Sequence, residues 1–436
     1  MLIEFTVGNF KSFRDKTTFS MIAANLTSED PALDTNNVIP VSKNLSLLKS
    51  AAVYGANASG KSNLGAALSF MHEFVLNSAR EVVTPMGVGL EPFRLDQETR
   101  EQPSFFEIVF RLGQKQYRYG FEVDKAHVVS EWLFCVPKTK EVALFVRDGQ
   151  KINVLAGFKE GKGLESKTRK EALFLPVVAL FNGETAQAIL GWFHVFPVET
   201  GLRDDRFREF TLEGLRDPEE RKELLDFIRN LDLGVEELFI PDPSNLPLDW
   251  SDEKKSEYAT KTSQTIFVVH RLKEAAETVN DLEFFDLDKH ESQGTRKLIA
   301  MAGPLYSILS HGNVLFVDEL DARLHPLMTR RIIEMFHSPL TNPNGAQLIF
   351  ATHDTNLLDK TLFRRDQIWF AEKDRQGATH LASLAEYRVR SDAAFEKQYL
   401  EGRYGAIPFL GDLSRLPWAQ KREDVQEAAE QETVHA

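Results

Sequence analysis

Cysteine is almost absent from this chain: its 436 residues hold one, Cys135. A single thiol excludes an internal disulfide and a cysteine-based zinc cluster. Long apolar runs are also missing. No stretch approaches the ~18 uncharged apolar residues that a membrane-spanning helix needs. The opening MLIEFTVGNFKSF has no basic segment followed by an apolar one, so it does not read as a secretory leader. Together these absences predict a cytoplasmic chain with no membrane partner. Positive charge is in deficit, with 52 Lys and Arg against 65 Asp and Glu, a formal net charge of −13. That balance argues against a protein that coats nucleic acid with its whole surface, while leaving room for a local basic groove. Part of the acid excess lies in QKREDVQEAAEQETVHA, whose only sizeable apolar residue is valine, and which reads as a solvated tail. No internal repeat or long low-complexity segment breaks the chain.

What is present is enough hydrophobic sequence, 42% of residues, to bury one large core or two modest ones. Residues 2–7 read as a strand, with a second near 17–22. Residues 48–54 form a short strand that runs into a glycine-bearing loop and then a helix from Ser62 to Leu76. Three β-branched and aromatic segments, 104–110, 117–123 and 127–134, predict an antiparallel meander. From about 150 to 280 helical spacing dominates, including DPEERKELLDFIRNL with Pro218 in the first turn behind Asp217. A proline-broken, charged segment at 241–262 reads as a loop or lid. Strand signals return at 265–270, 313–318, 346–351 and 367–371. Alternation of strand and helix predicts an α/β fold with a mostly parallel sheet covered by helices.

Residues 55–62, Gly55-Ala56-Asn57-Ala58-Ser59-Gly60-Lys61-Ser62, match the phosphate-loop pattern G-x-x-x-x-G-K-[ST]. The glycines let backbone N–H groups wrap a phosphate, and the helix behind them adds the positive end of its dipole. Lys61 is placed to reach the β- and γ-oxygens, the Ser62 hydroxyl to ligate Mg²⁺, and Asn63 continues the loop. Residues 314–319, Val-Leu-Phe-Val-Asp-Glu, are an apolar run ending in two carboxylates. A doubly buried strand has little use for paired acids at its tip unless a cation or water sits there. Asp318 suits the Mg²⁺ shell, and Glu319 suits polarising a water for in-line attack on a γ-phosphate.

VLFVDELDARLHP resembles the Walker B and D-loop region of ABC ATPases related to the RecF and SMC groups. The resemblance implies an ABC ATPase head that hydrolyses ATP to ADP and phosphate as a homodimer or higher oligomer. ESQGTRKL resembles that family's signature segment, which implies that Ser292, Gln293, Gly294 and the D-loop Asp321 face the nucleotide of the other subunit. His353 in QLIFATHDTNLLD is similar to the switch histidine, with Thr355 and Asn356 expected to cap a following helix. NFKSF resembles the turn near the adenine, making Lys11 and Phe13 candidate base or ribose contacts. Gln97 is a candidate for the family's Q-loop.

The chain to about residue 415 also resembles a narrower group, the RloA-like and AbiLi-like ATPases of bacterial phage-defence or restriction-linked operons. The segments that carry this likeness include YGANASGKSNL, EPFRLD and YLEGRYGAIPFL. It implies a nucleotide-driven switch with an effector protein encoded nearby. Toprim-bearing OLD-type relatives differ, because no E…DxD carboxylate series follows His353. Sustained heptads are missing between the phosphate loop and ESQGTRKL, which counts against a chromosome-organising role. The alternative is a RecF-like repair ATPase that binds duplex DNA through Lys167, Arg169 and Lys170 or Arg203, Arg206 and Arg208. Four segments are expected. Residues 1–150 form an N-terminal lobe with the phosphate loop and meander, and 151–280 an inserted, largely helical or lid subdomain. Residues 281–418 form a C-terminal lobe with the remaining motifs, and 419–436 an acidic tail, while an antiparallel β subdomain completes the head.

Overall fold

The computed structural model describes residues 1–80, 84–137, 140–231, 234–240, 265–271, 282–390 and 393–408. The lid segment expected at 241–262 and the acidic tail lie outside these residues.

In chain order, β1 (Leu2–Gly8) and β2 (Thr17–Ser20) precede α1 (Pro31–Asn36), a ribbon of β3 (Val38–Ser42) and β4 (Leu45–Leu48), β5 (Ser50–Tyr54) and α2 (Lys61–Asn77). The meander follows as β6 (Ser104–Leu112), β7 (Lys115–Val123), β8 (Val128–Val136), β9 (Val142–Asp148) and β10 (Lys151–Val154). Next come α3 (Phe174–Leu180), α4 (Glu184–His194), β11 (Val198–Thr200), α5 (Asp205–Arg216) and α6 (Pro218–Arg229). Then come β12 (Glu237–Phe239), β13 (Phe267–Arg271), β14 (Leu282–Asp286), α7 (Leu287–His290) and α8 (Gln293–His311). The chain continues through β15 (Val314–Asp318), α9 (Pro326–His337), β16 (Gln347–Ala351), β17 (Ile368–Lys373), β18 (Thr379–Ser383) and α10 (Phe395–Leu400).

The fold is mixed α/β. A six-stranded sheet has the order β11-β15-β16-β5-β17-β18, parallel except for the edge strand β18. An antiparallel seven-stranded sheet has the order β10-β9-β8-β7-β6-β1-β2. The parallel strands are apolar on both faces because both faces are covered. Ala51 and Val53 of β5, Phe316 of β15 and Ile349 of β16 point into one core, with α2 and the antiparallel sheet. Their neighbours Ala52, Leu315, Val317, Leu348 and Phe350 point into the other, with α5, α6, α8 and α9. Helix α2 is thus held between two sheets, with Leu64, Phe70, Met71 and Phe74 all in the first core. Each large side chain so buried contributes roughly 1.5–3 kcal/mol.

Two elements fall elsewhere than the alternation predicts. The strand expected at 265–270 is not in the parallel sheet; β13 is the middle of a separate antiparallel sheet, β12-β13-β14, paired with strands from its own stretch of chain. The parallel edge position goes instead to β11, whose three residues are too short to show a period. Strand β10 belongs to the antiparallel sheet and β11 to the parallel one, so both sheets reach into the 151–280 segment. Asp217 caps α6 by accepting the N–H groups of Glu219 and Glu220, with Pro218 in the first turn.

Candidate active site

The C-terminal ends of β15, β16 and β5 are adjacent, and the sequence places a different polar segment at each. Register puts Phe350 beside both Val317 and Ala52. The N–H of Leu320 donates to Ala351 O at 3.2 Å, and that of Thr352 to Val53 O at 3.2 Å. The phosphate-loop residues, the acidic pair and His353 therefore leave one edge of the sheet side by side, where open α/β sheets bind ligands.

The loop between β5 and α2 is shaped by contacts that are distant in sequence. Gly60 caps α2 at φ +107° without a side-chain acceptor, so no side-chain cap claims the first-turn N–H groups, although that of Asn63 donates to Gly60 O at 3.0 Å. A Cβ at Gly60 would lie 2.1 Å from Thr379 Oγ1. Thr379 donates its hydroxyl to Ser59 O at 2.8 Å, and lies 2.8 Å from Ser12 Oγ. Asn63 Nδ2 donates to the same Ser12 hydroxyl at 2.6 Å. Lys61 is 5% exposed. Its Nζ donates to Gly55 O at 2.8 Å and Ala56 O at 3.1 Å. Asn57 and Ala58 form the exposed crest, with Ala58 in the left-handed region at φ +62°.

The charges around Lys61 act on one another. Burial lowers the Lys61 pKa, and the carboxylates of Asp318, Glu319 and Asp321 oppose that shift. Burial and the Lys61 charge likewise lower the pKa of His353, against the same three acids. Glu319 occupies the left-handed region at φ +56°, a conformation that costs a non-glycine residue energy. One oxygen of Asp318 and one of Asp321 are buried with no hydrogen-bond partner among the described residues. A cleft of about 420 Å³ is lined by Ser62, Thr200 and Asp318 among others. The Ser62 hydroxyl and the Asp318 carboxylate, both lining this cleft, are oxygen donors suited to Mg²⁺, whose other ligands would be phosphate oxygens and water.

The segment around Ser292 lies against the turn that follows the acidic pair. Ser292 is exposed and caps α8, accepting the N–H of Thr295 at 3.1 Å. Gly294 packs on Arg323, where a Cβ would lie 3.3 Å from the carbonyl. Gln293 is exposed beside them.

Some expectations need correction. Phe13 is fully buried in the first core, so its ring has no face to offer a base. Lys11 of the same turn stays partly exposed, 3.5 Å from Glu91. Asp354, not Thr355 or Asn356, is the cap, accepting the N–H of Asn356 at the start of a three-residue 3₁₀ turn. Gln97 is exposed in the loop that Asn9 holds through Phe93 N and Thr99 O. The position paired with Asp318 on the neighbouring strand is Thr200. Sequence reasoning missed Thr200, Ser12 and Thr379; only Ser12, inside a segment already singled out, carried a readable signal.

The basic positions make surface contacts, and all but Arg208 are exposed. Arg206 pairs with Glu199, Arg208 with Asp288, and Lys170 with Glu171. Arg169 donates to Ser78 O, and Lys167 lies over the Phe181 ring, while Arg203 is exposed.

Residues 50–359 match the sequence profile of a family described as "AAA domain, putative AbiEii toxin, Type IV TA system". No curated protein matches the chain. Among solved structures, the SMC head domain from Thermotoga maritima is 13% identical with a TM-score of 0.40, over 88% of this chain and 98% of that one. A Smc head domain with an extended coiled coil bound to the C-terminal domain of ScpA, derived from Pyrococcus furiosus, is 11% identical with a TM-score of 0.35, over 88% and 96%. A Smc head domain with a coiled coil and joint, derived from Pyrococcus yayanosii, is 10% identical with a TM-score of 0.39, over 92% and 99%.

Proposed function

Because the chain belongs to the family described as "AAA domain, putative AbiEii toxin, Type IV TA system", we propose that it hydrolyses ATP to ADP and phosphate. We further propose that two copies close head to tail around the nucleotide. One observation carries the reading. A buried ammonium, an acidic pair and a histidine with lowered proton affinity leave adjacent parallel strands at one sheet edge.

In this reading the N–H groups of residues 55–63 and the Lys61 ammonium receive the β- and γ-phosphates. Ser62 and Asp318 hold Mg²⁺, which when bound neutralises charge on those oxygens. Glu319 orients the attacking water and takes its proton. His353, neutral at pH 7, donates a ring N–H to the water or the γ-phosphate. Lys11 is the remaining base-contact candidate of its turn. Ser292, Gln293, Gly294 and Asp321 face the nucleotide of the second copy. A higher affinity of ATP for the closed pair supplies the switching free energy. We read the switch as the ATPase subunit of an anti-phage defence system with an effector in trans. The RecF-like alternative keeps exposed cations in Lys167, Arg169, Lys170, Arg203 and Arg206, and ATP-stimulated, salt-dependent binding of duplex DNA would favour it.

The test uses two variants. Lys61→Ala is expected to lose binding of a fluorescent ATP analogue. Glu319→Gln is expected to bind ATP, stop turning over and accumulate as a dimer in light scattering. Parental hydrolysis by Glu319→Gln would remove Glu319 from its role. A Glu319→Gln variant that stays monomeric at saturating ATP would remove the closing pair.

A further inference from the structure

Lys297 lies within the ESQGTRKL segment but has no assigned role there, and it is fully buried at the start of α8. Its Nζ donates to Gly201 O at 3.0 Å, Leu320 O at 3.1 Å and Ala322 O at 2.5 Å. An ammonium has three donors and no acceptor, and here each donor meets a main-chain carbonyl. The three carbonyls come from two segments: the turn after β11, and the turn after the acidic pair. Asp204, Asp321 and Glu319 are the acids whose charge acts on Lys297, and Arg323 is the opposing cation. A methionine of similar length would fill this helix face without the cost of desolvating a charge. The charge is therefore best understood through what it holds.

Those two segments carry the working parts of the site. Gly201 N donates to Asp318 O at 2.6 Å, directly beyond the pairing of Thr200 with Asp318. Leu320 and Ala322 flank Asp321 and follow Glu319. Arg323 closes the bundle from the other side, pairing with Asp204 at 3.1 Å and donating to Leu202 O at 3.2 Å. Gly294, one helical turn before Lys297, lies on the Arg323 carbonyl.

Resting on the nucleotide-closed dimer proposed above, we propose that Lys297 is a positioning residue. It straps the turn after β11 and the Asp321 turn to the helix that carries Ser292 and Gly294. The groups that act on a subunit's own nucleotide and those that face its partner's then move as one body.

The experiment compares full-length parent and Lys297→Met. Affinity for a fluorescent ATP analogue is expected to be unchanged, since the phosphate loop is not strapped. Turnover is expected to fall roughly tenfold to a hundredfold at similar KM, as small misplacements of reacting groups do. ATP-dependent dimerisation of Glu319→Gln is expected to disappear when Lys297→Met is added. Without nucleotide, amide hydrogens of residues 199–204 and 319–324 should exchange faster in Lys297→Met. Unchanged exchange there would overturn the strap even if the parent hydrolysed no ATP, an outcome that would instead defeat the proposed function. Parental turnover and dimerisation in Lys297→Met would also overturn it. Should Lys297→Met fail to fold, Lys297→Arg replaces one three-donor atom with a planar fork. It must then lower turnover with ATP binding kept, and parental turnover would refute the strap.

Discussion

The hydroxyl of Thr211 donates to Ala300 O at 2.6 Å and accepts the N–H of Gly303 at 2.9 Å. Pro304, inside α8, lacks the N–H that would otherwise meet Ala300 O. A side chain on α5 thus repairs a break in the helix that begins at Gln293. The approach is close: a Cβ on Gly303 would lie 2.7 Å from Thr211 Cα. Thr211→Val keeps the shape and leaves both backbone groups buried without partners. At ~1–3 kcal/mol for each unsatisfied group, a loss of about 2–6 kcal/mol is expected. Thr211→Ser should retain most of that. Denaturant midpoints measure it, and equal midpoints for parent and Thr211→Val would remove the repair.

Gly60 combines a left-handed backbone with a neighbour that cannot retreat. Thr379 is fixed by Ser12 and Ser59, so an alanine methyl at Gly60 must displace the loop itself. Gly60→Ala should fold normally by circular dichroism and bind ATP at least roughly tenfold more weakly, the left-handed conformation alone costing ~1–2 kcal/mol. Parental affinity in a titration with a fluorescent ATP analogue would contradict this account of the loop.

Beneath the loop, buried His337 sits 2.7 Å from the Ser50 hydroxyl. Burial and then the Lys49 charge push its pKa down to about 3. In the unfolded chain a histidine takes its proton near pH ~6.5. Between those values the unfolded state binds more protons than the folded one, so stability falls as pH drops from 6.5 towards 3. The full loss is at most roughly 5 kcal/mol, at ~1.4 kcal/mol per pH unit. His337→Gln removes this titration. The gap between unfolding midpoints at pH 7.5 and pH 5 should therefore narrow in the variant, and an equal gap would exclude His337 as a source of acid lability.

The phosphate loop and the acidic pair were legible because their chemistry is local: eight consecutive residues, and a carboxylate pair closing an apolar run. The parallel strands were legible because burial on both faces leaves unbroken apolar runs such as VLFV and LIFA. Thr379 and Thr200 were not. Each works by touching a residue more than 100 positions away, and β11 is too short to display a period. Phe13 shows the converse, since an aromatic residue in a suggestive turn is equally suited to the core, and burial settled which. Lys297 did leave a trace. It lies on the same helical stripe as Met301 and Leu305, where a charge needs a partner, but its partners are carbonyls, which side-chain patterns do not reveal.

The proposed head-to-tail pair would contain two composite sites, each built from the phosphate loop of one copy and the Ser292 segment of the other. Ser292 caps its own helix yet is exposed, as is Gln293 beside it, so both lie on the surface where a second chain could reach them. Lys61→Ala alone should be inactive, and Ser292→Arg alone should be inactive through a bulky charge at the closing surface. Mixed in equal amounts, half of the pairs are hybrids. Each hybrid holds one site with both defects and one with neither, so about a quarter of parental turnover should return if subunits exchange freely. The measurement is steady-state phosphate release before and after mixing. If Ser292 served only its own subunit's nucleotide, every pair would keep two broken sites, and mixing would restore nothing.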